Sequence, residues 1–263
     1  MDLGLSGRSV LVTGGSKGIG LACARAFQAE GCRVHIAARD RARLEQARKE
    51  LGGTVAAHCA DLRDAKSLAA LAAECAGVDI LVNNAGDIPG GTLEALDEAK
   101  WRHAWELKVF GYINLTREYY RRMVERHDGV IVNVIGIGGE KLEYAYAAGS
   151  TGNAALAAMT RAVGSVSLDY GVRVLGVHPG WVETERARRS LRRRAEQELG
   201  DAERWPELTK AWPRGGLIQP REIGEVVAFA ASARASAMSG VILTVDGGFA
   251  ARGYPHDAAT RPA

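Results

Sequence analysis

Short, nearly continuous apolar runs recur along the chain at Ser9–Thr13, Arg33–Ala38, Thr54–Cys59, Val78–Asn83, Val130–Ile135, Arg173–His178 and Val241–Val245, with longer amphipathic stretches between them. A strand reads as continuously apolar, instead of alternating, when both faces of its sheet are covered. Strands of that kind spaced by helical segments are joined by right-handed crossovers. They predict an α/β fold: a doubly wound, mainly parallel seven-stranded sheet of Rossmann type with helices on both faces. No repeat or Pro/Gly/Ser-rich linker divides the chain, so residues 1–263 are expected to form a single domain.

The first apolar run leads directly into Thr13-Gly14-Gly15-Ser16-Lys17-Gly18-Ile19-Gly20, followed by a helical pattern from about Ile19. Glycines in such a turn let the chain reverse tightly, let the backbone approach a pyrophosphate, and let helix and strand pack closely. The helix N-terminus then offers free N–H groups and a positive dipole end to the anion. This strand-turn-helix setting predicts a dinucleotide site holding Gly14, Ser16, Lys17, Gly18, Ile19 and Gly20. A P-loop is excluded, because that motif ends in Gly-Lys-Ser/Thr whereas Lys17 precedes Gly18.

The second run ends Ala37-Ala38-Arg39, where an NAD-binding chain would carry an acidic residue for the ribose 2′-hydroxyl. Arg39 can pair a 2′-phosphate bidentately and Lys17 adds a second positive charge, so NADP(H) is expected over NAD(H), with Asp40 pointing away.

These residues and others downstream resemble the short-chain dehydrogenase/reductase family in its one-domain form, over nearly the whole chain. Asp61-Leu62 matches the family's adenine contact, Asn83-Asn84-Ala85-Gly86 the segment after its fourth strand, and Val245-Asp246-Gly247-Gly248 its last strand. Pro179-Gly180 with Val182 and Thr184 resembles its nicotinamide-side loop. The resemblance implies cofactor contacts from Asp61, Leu62, Asn84, Ala85, Gly86, Pro179, Gly180, Val182 and Thr184. It also implies a homo-oligomer, a tetramer or dimer.

The family's proton chemistry resides in an Asn-Ser-Tyr-Lys tetrad, and here the resemblance breaks. Anchored on Ala154-Ala155-Leu156 and Thr160-Arg161-Ala162, the lysine position holds Asn153 and the tyrosine position Gly149. The serine position holds Gly136 and the asparagine position Lys108, so lysine and asparagine are exchanged. Tyr146 lies about one helical turn upstream of the missing tyrosine. The expected site therefore has Tyr146 as proton donor, Lys108 supplying positive charge beside it, and Asn153 holding the ribose or a bridging water. The expected function is an NADP(H)-dependent oxidoreductase acting on a small carbonyl or alcohol. The alternatives are a cofactor-binding protein without redox turnover, or a lyase or isomerase on the same fold.

Residues 185–216 interrupt the rhythm and are expected to form a lid over the substrate. Their arginines, Arg186, Arg188, Arg189, Arg192, Arg193 and Arg194, are expected on a solvated helix face, with attraction of an anionic substrate as the sharper alternative. A net charge of only +3 gives no reason to expect nucleic acid or an anionic membrane as partner, leaving a small-molecule substrate. The N-terminus has no targeting pattern and no apolar run reaches the about 18 residues of a membrane span, which points to the cytoplasm. The four cysteines show no C-x-x-C pair and no histidine at ligand spacing; they are expected as buried thiols, and no metal site is expected.

Overall fold

The apolar runs become seven strands because each is covered on both sides by helices. In the computed structural model, which describes residues 1–52 and 54–252, the elements follow in strict alternation through the first half. They are β1 (Ser9–Thr13), α1 (Gly18–Ala29), β2 (Arg33–Ala38), α2 (Arg41–Leu51), β3 (Ala56–Cys59), α3 (Ala65–Glu74) and β4 (Ile80–Asn83). The second half continues with α4 (Glu98–Trp105), α5 (Gly111–Glu125), β5 (Gly129–Val134), α6 (Ala147–Ser167), β6 (Val172–Pro179), α7 (Glu185–Leu199), α8 (Trp205–Thr209), α9 (Pro220–Ala231) and β7 (Ile242–Val245). The sheet order is β3-β2-β1-β4-β5-β6-β7, and every pair is parallel, where the sequence predicted a mainly parallel sheet. The last residues of the expected domain, 253–263, lie outside the described residues.

Strand order reverses between β1 and β4, and the crevice beyond their carboxyl ends is where such sheets bind ligands. One core covers the first face, with Phe27, Ile36 and Leu175 among its members, and a second covers the other with Leu71, Tyr119 and Ile131. Tyr112 and Tyr119 on α5 are fully buried within the chain, their hydroxyls donating to the carbonyls of Val134 and Cys75. A polar ladder fixes the centre: Asn83 Nδ2 donates to Asn133 Oδ1 at 2.9 Å, and Asn133 Nδ2 to Thr160 Oγ1 at 2.9 Å. Buried Arg173 closes the end of α9 by donating to the carbonyls of Ala230, Ala231, Ser232 and Ala235. The carbonyls of Ala230 and Ala231 are among those left open at the helix C-terminus, while those of Ser232 and Ala235 also accept from Ala235 N–H and Met238 N–H.

The 185–216 insertion is not an irregular loop. It contains α7 and α8, and its ends are pinned together by the bridge Val182–Ile218, with Ile218 N–H donating to Trp181 O at 2.9 Å. Trp212 packs on Trp181 at 5.3 Å and edge-on to Phe249 at 5.2 Å. Among the described residues, no helix is long and apolar enough to cross a membrane.

Candidate active site

At the first turn after β1, Gly14 lies against Asn84, so a Cβ there would sit 2.9 Å from Asn84 Nδ2, and a Cβ at Gly20 would strike the Gly14 carbonyl. Asn84 braces this turn by donating to Thr13 O at 2.9 Å, while Thr13 Oγ1 accepts from the N–H groups of Asn84 and Ala85. The N-termini of α2, α3, α4 and α7 are each closed by a side chain, from Asp40, Asp64, Asp97 and Thr184. Helix α1 is not: its N-cap is Lys17, with no side-chain cap. Uncovered first-turn donors beside a glycine turn are what a pyrophosphate requires, so the residues present fit a dinucleotide.

At the end of β2, Asp40 accepts from Arg43 N–H at 3.1 Å and caps α2, so its carboxylate is already engaged. Arg39 is exposed and is in no ion pair among the described residues. Lys17, expected to add a second positive charge here, is already paired. Its Nζ lies 2.9 Å from Glu185 Oε2, which also takes Arg43 Nη1 at 3.1 Å, and both cations hold the Glu185 carboxyl below its usual range. Asp61 is likewise engaged, by Arg63, whose hydrogen bonds are the main cause of its lowered pKa; Leu62 is buried beside it.

On the nicotinamide side, Gly180 N–H donates to Val245 O at 3.0 Å, and Pro179 ends β6. Val182 is buried, and Thr184 caps α7 while its methyl group faces Gly18 across the crevice. The glycine turn and the nicotinamide-side loop therefore border one space.

Helix α4 runs into α5 through a single π-helical turn, Glu106–Phe110, a feature that recurs at functional sites. Lys108 sits at its centre, 7% exposed, packed beneath Gly86 and donating from Nζ to the carbonyl of Ile135. Burial, with the nearby Arg186 charge as second cause, pushes its amine down to about 7. Asn153 is buried against Gly136, where a Cβ would lie 3.0 Å from Asn153 Nδ2, and its Oδ1 has no hydrogen-bond partner. Gly136 has φ 125°, a setting that an L residue such as serine rarely adopts.

Tyr146 is half-buried at the start of α6. Its ring lies against Gly149, so that a Cβ at Gly149 would collide with Tyr146 Cζ. The loop after β4 is tied to it through the Gly91–Tyr146 bridge, with Gly91 N–H donating to Ala145 O at 2.7 Å. Its hydroxyl accepts from Arg186 Nη2 at 3.2 Å, and the same guanidinium donates to Ile88 O at 2.7 Å and Gly86 O at 3.3 Å.

The cation on Tyr146 is thus Arg186 and not Lys108, whose amine is taken by Ile135. This corrects two expectations, the pairing of Lys108 with Tyr146 and the assignment of the whole arginine run to a solvated face. The other arginines of the run are exposed, and Arg188, Arg192 and Arg194 pair with Glu183, Glu203 and Glu198. Nothing in the linear run singles out Arg186, since Arg188 shares the first turn of α7 and only the packing of the helix separates the two. His178, buried at the end of β6, has Nδ1 3.5 Å from Glu140 Oε2, and desolvation lowers its pKa.

Residues 8–195 match the short chain dehydrogenase family. Galactitol 2-dehydrogenase (L-tagatose-forming) of Cereibacter sphaeroides is 38% identical over 251 residues, covering 93% of this chain and 96% of that protein. The 3-oxoacyl-(acyl-carrier-protein) reductase of Vibrio cholerae is 31% identical over 253 residues, covering 94% and 98%. Among solved structures, a variant of actinorhodin polyketide ketoreductase with NADPH superposes with TM-score 0.87 at 32% identity, over 94% of this chain and 98% of that one. L-sorbose reductase from Gluconobacter frateurii, complexed with NADPH and L-sorbose, gives 0.86 at 27% identity, over 96% and 100%.

Proposed function

The chain belongs to the short-chain dehydrogenase/reductase family of oxidoreductases, and from that membership we propose that it uses NADP(H) to interconvert a small or medium carbonyl compound and its alcohol, with Tyr146 as proton donor. The observation that carries this reading is the Tyr146 ring seated against Gly149 with its hydroxyl oxygen accepting from Arg186. A phenol oxygen that accepts from a guanidinium keeps its own proton free for another acceptor. A substrate carbonyl oxygen within reach takes that proton, and the negative charge left on the tyrosine oxygen faces Arg186. In the alcohol-oxidising direction the proton returns along the same path. The dinucleotide, when bound, supplies or accepts the hydride.

Other residues take supporting roles. Lys108, with an amine that titrates near neutrality, exchanges a proton with water or a ribose hydroxyl at the floor of the site. The unpartnered Oδ1 of Asn153 accepts from a ribose hydroxyl or a bridging water. The turn Gly14, Ser16, Gly18, Ile19 and Gly20 holds the pyrophosphate. Asp61 and Leu62 border adenine, and Asn84, Ala85, Gly86, Pro179, Gly180, Val182 and Thr184 line the nicotinamide half. The preference for NADP(H) rests on exposed Arg39, on Asp40 being occupied as a cap, and on a 2′-phosphate drawing Lys17 away from Glu185. Residues 185–216 act as a lid, because α7 brings Arg186 onto the loop after β4. The same reading places the protein in the cytoplasm as a homo-oligomer.

The test is absorbance at the reduced-nicotinamide band with a panel of ketones and alcohols. Tyr146→Phe is expected to lower kcat about 100-fold or more while NADP binding stays unchanged. Full activity in that variant overturns the donor. Nucleotide binding without turnover across the panel favours a non-redox binding protein, and substrate loss without an absorbance change favours a lyase or isomerase.

A further inference from the structure

Away from the crevice, three side chains distant in sequence meet beneath the outer edge of the sheet. His35 of β2 and His58 of β3 leave the same sheet face, because His35 pairs with Ala56 and His58 with Ala37. Cys75, at the end of α3, packs onto that face. His35 Nδ1 lies 3.1 Å from His58 Nε2, and Cys75 Sγ lies 3.4 Å from His58 Nε2 and 3.7 Å from His35 Nδ1. A tetrahedral zinc ion with Zn–N of about 2.0 to 2.1 Å and Zn–S of about 2.3 Å separates two nitrogens by roughly 3.3 Å, and nitrogen from sulfur by roughly 3.5 Å. The three ligand atoms already stand at the edges of such a coordination figure.

The surroundings would suit a metal ion. His58 Nδ1 lies 2.9 Å from Glu74 Oε2, and a carboxylate that takes this proton leaves Nε2 as the lone-pair nitrogen, turned inward. The Tyr119 hydroxyl donates to the Cys75 carbonyl at 3.2 Å and fixes the backbone that presents the sulfur. Cys75 is 2% exposed while the His58 side chain keeps 15% exposure, so the cluster is enclosed but has a way in. Two imidazoles and a thiol, with no carboxylate among the three, suit a borderline transition ion and not magnesium or calcium.

We propose that His35 Nδ1, His58 Nε2 and Cys75 Sγ bind one zinc ion, with water as fourth ligand, and that the ion pins the edge strand β3 to α3. On binding, the Cys75 S–H bond breaks, its proton passes to solvent, and the thiolate electron pair forms the Zn–S bond. No redox change is involved. The edge is where a staple matters most, because none of the β3 residues Ala56–Cys59 is fully buried and the strand pairs on one side only.

The experiment uses the full-length, tag-free protein freed of metal by a chelator. Zinc is titrated against a chromogenic chelator, and cobalt(II) is added separately as an optical probe. The expected result is one zinc per folded chain, a cobalt–thiolate charge-transfer band, and a melting temperature that rises with zinc concentration. Cys75→Ser removes the band, His58→Gln weakens zinc at least about tenfold, and Glu74→Gln weakens it about 10- to 100-fold. Cys59→Ser, an exposed thiol on the same strand, leaves binding unchanged. Failure of folded wild type to take up stoichiometric zinc overturns the proposal, as does a band that survives Cys75→Ser. If Cys75→Ser does not fold, unchanged zinc affinity in folded His58→Gln overturns it equally.

Discussion

Replacing Lys108 by methionine tests the site through stability before any substrate is known. Burial pushes the Lys108 amine from 10.5 down to about 7. At about 1.36 kcal/mol per pKa unit, that fall corresponds to about 4 to 5 kcal/mol by which the folded state disfavours the charged form. An unfolded chain holds this proton up to about pH 10.5, whereas the folded chain releases it near 7. Between those values unfolding takes up a proton, so stability rises with pH. Below the folded pKa both states hold the proton and the full penalty applies; above the unfolded pKa neither holds it and the penalty is gone.

Methionine has a similar length and no charge, but it leaves the Ile135 carbonyl without its donor, which costs about 1 to 3 kcal/mol. The expected balance for Lys108→Met is therefore stabilisation by about 1 to 3 kcal/mol near pH 7 and destabilisation by up to about 2 kcal/mol near pH 10, where about 1 kcal/mol of the penalty remains. Urea unfolding of both proteins at the two pH values, followed by tryptophan fluorescence, measures it. A difference between variant and wild type that does not change with pH refutes the reasoning. The same substitution is expected to lower kcat, giving a protein more stable and less active at neutral pH.

Gly149→Ala puts a methyl group in collision with the Tyr146 ring, so it is expected to cost about 1 to 3 kcal/mol of stability and to reduce kcat as severely as Tyr146→Phe, measured by unfolding and steady-state kinetics. Arg39→Ala is expected to weaken NADP binding about tenfold or more with little effect on NAD, read by calorimetry; equal losses for the two nucleotides count against the 2′-phosphate role. Hydrogen exchange over residues 185–216 is expected to slow when NADPH and substrate bind together, and unchanged protection argues against a lid.

The sheet was legible because burial on both faces leaves little choice of residue. Runs ending at Thr13, Ala38, Cys59, Asn83 and Val245 end there in the structure, and β5 and β6 shift by one residue. Asp40 caps α2, a place that a short acidic residue before a helical pattern favours, though the sequence alone predicted only that it points away. What could not be read depends on contacts between distant segments. The pairing of Lys17 is one such contact, since its partner Glu185 belongs to the inserted helix. Arg186 was hidden among other arginines, and only the orientation of α7 separates it from them. The expectation of buried thiols held for Cys23 and Cys75, but Cys59 is exposed. No linear spacing could announce that Cys75 meets two histidines, since the meeting is made by the pairing of β2 with β3 and by where α3 ends.

The order of the strands also bears on how the chain is made. β1 pairs on one side with β2, which follows it closely, but on the other with β4, in the register Val10 with Ile80. Ribosomes add about 5 to 20 residues per second, so that second edge of β1 stays open for roughly 4 to 14 s after it is synthesised. Through that interval Leu11 and Val12, which the finished sheet buries completely, border an unsatisfied row of backbone donors and acceptors. The seam between β1 and β4, where the crevice opens, is thus the last of the N-terminal half to close during translation.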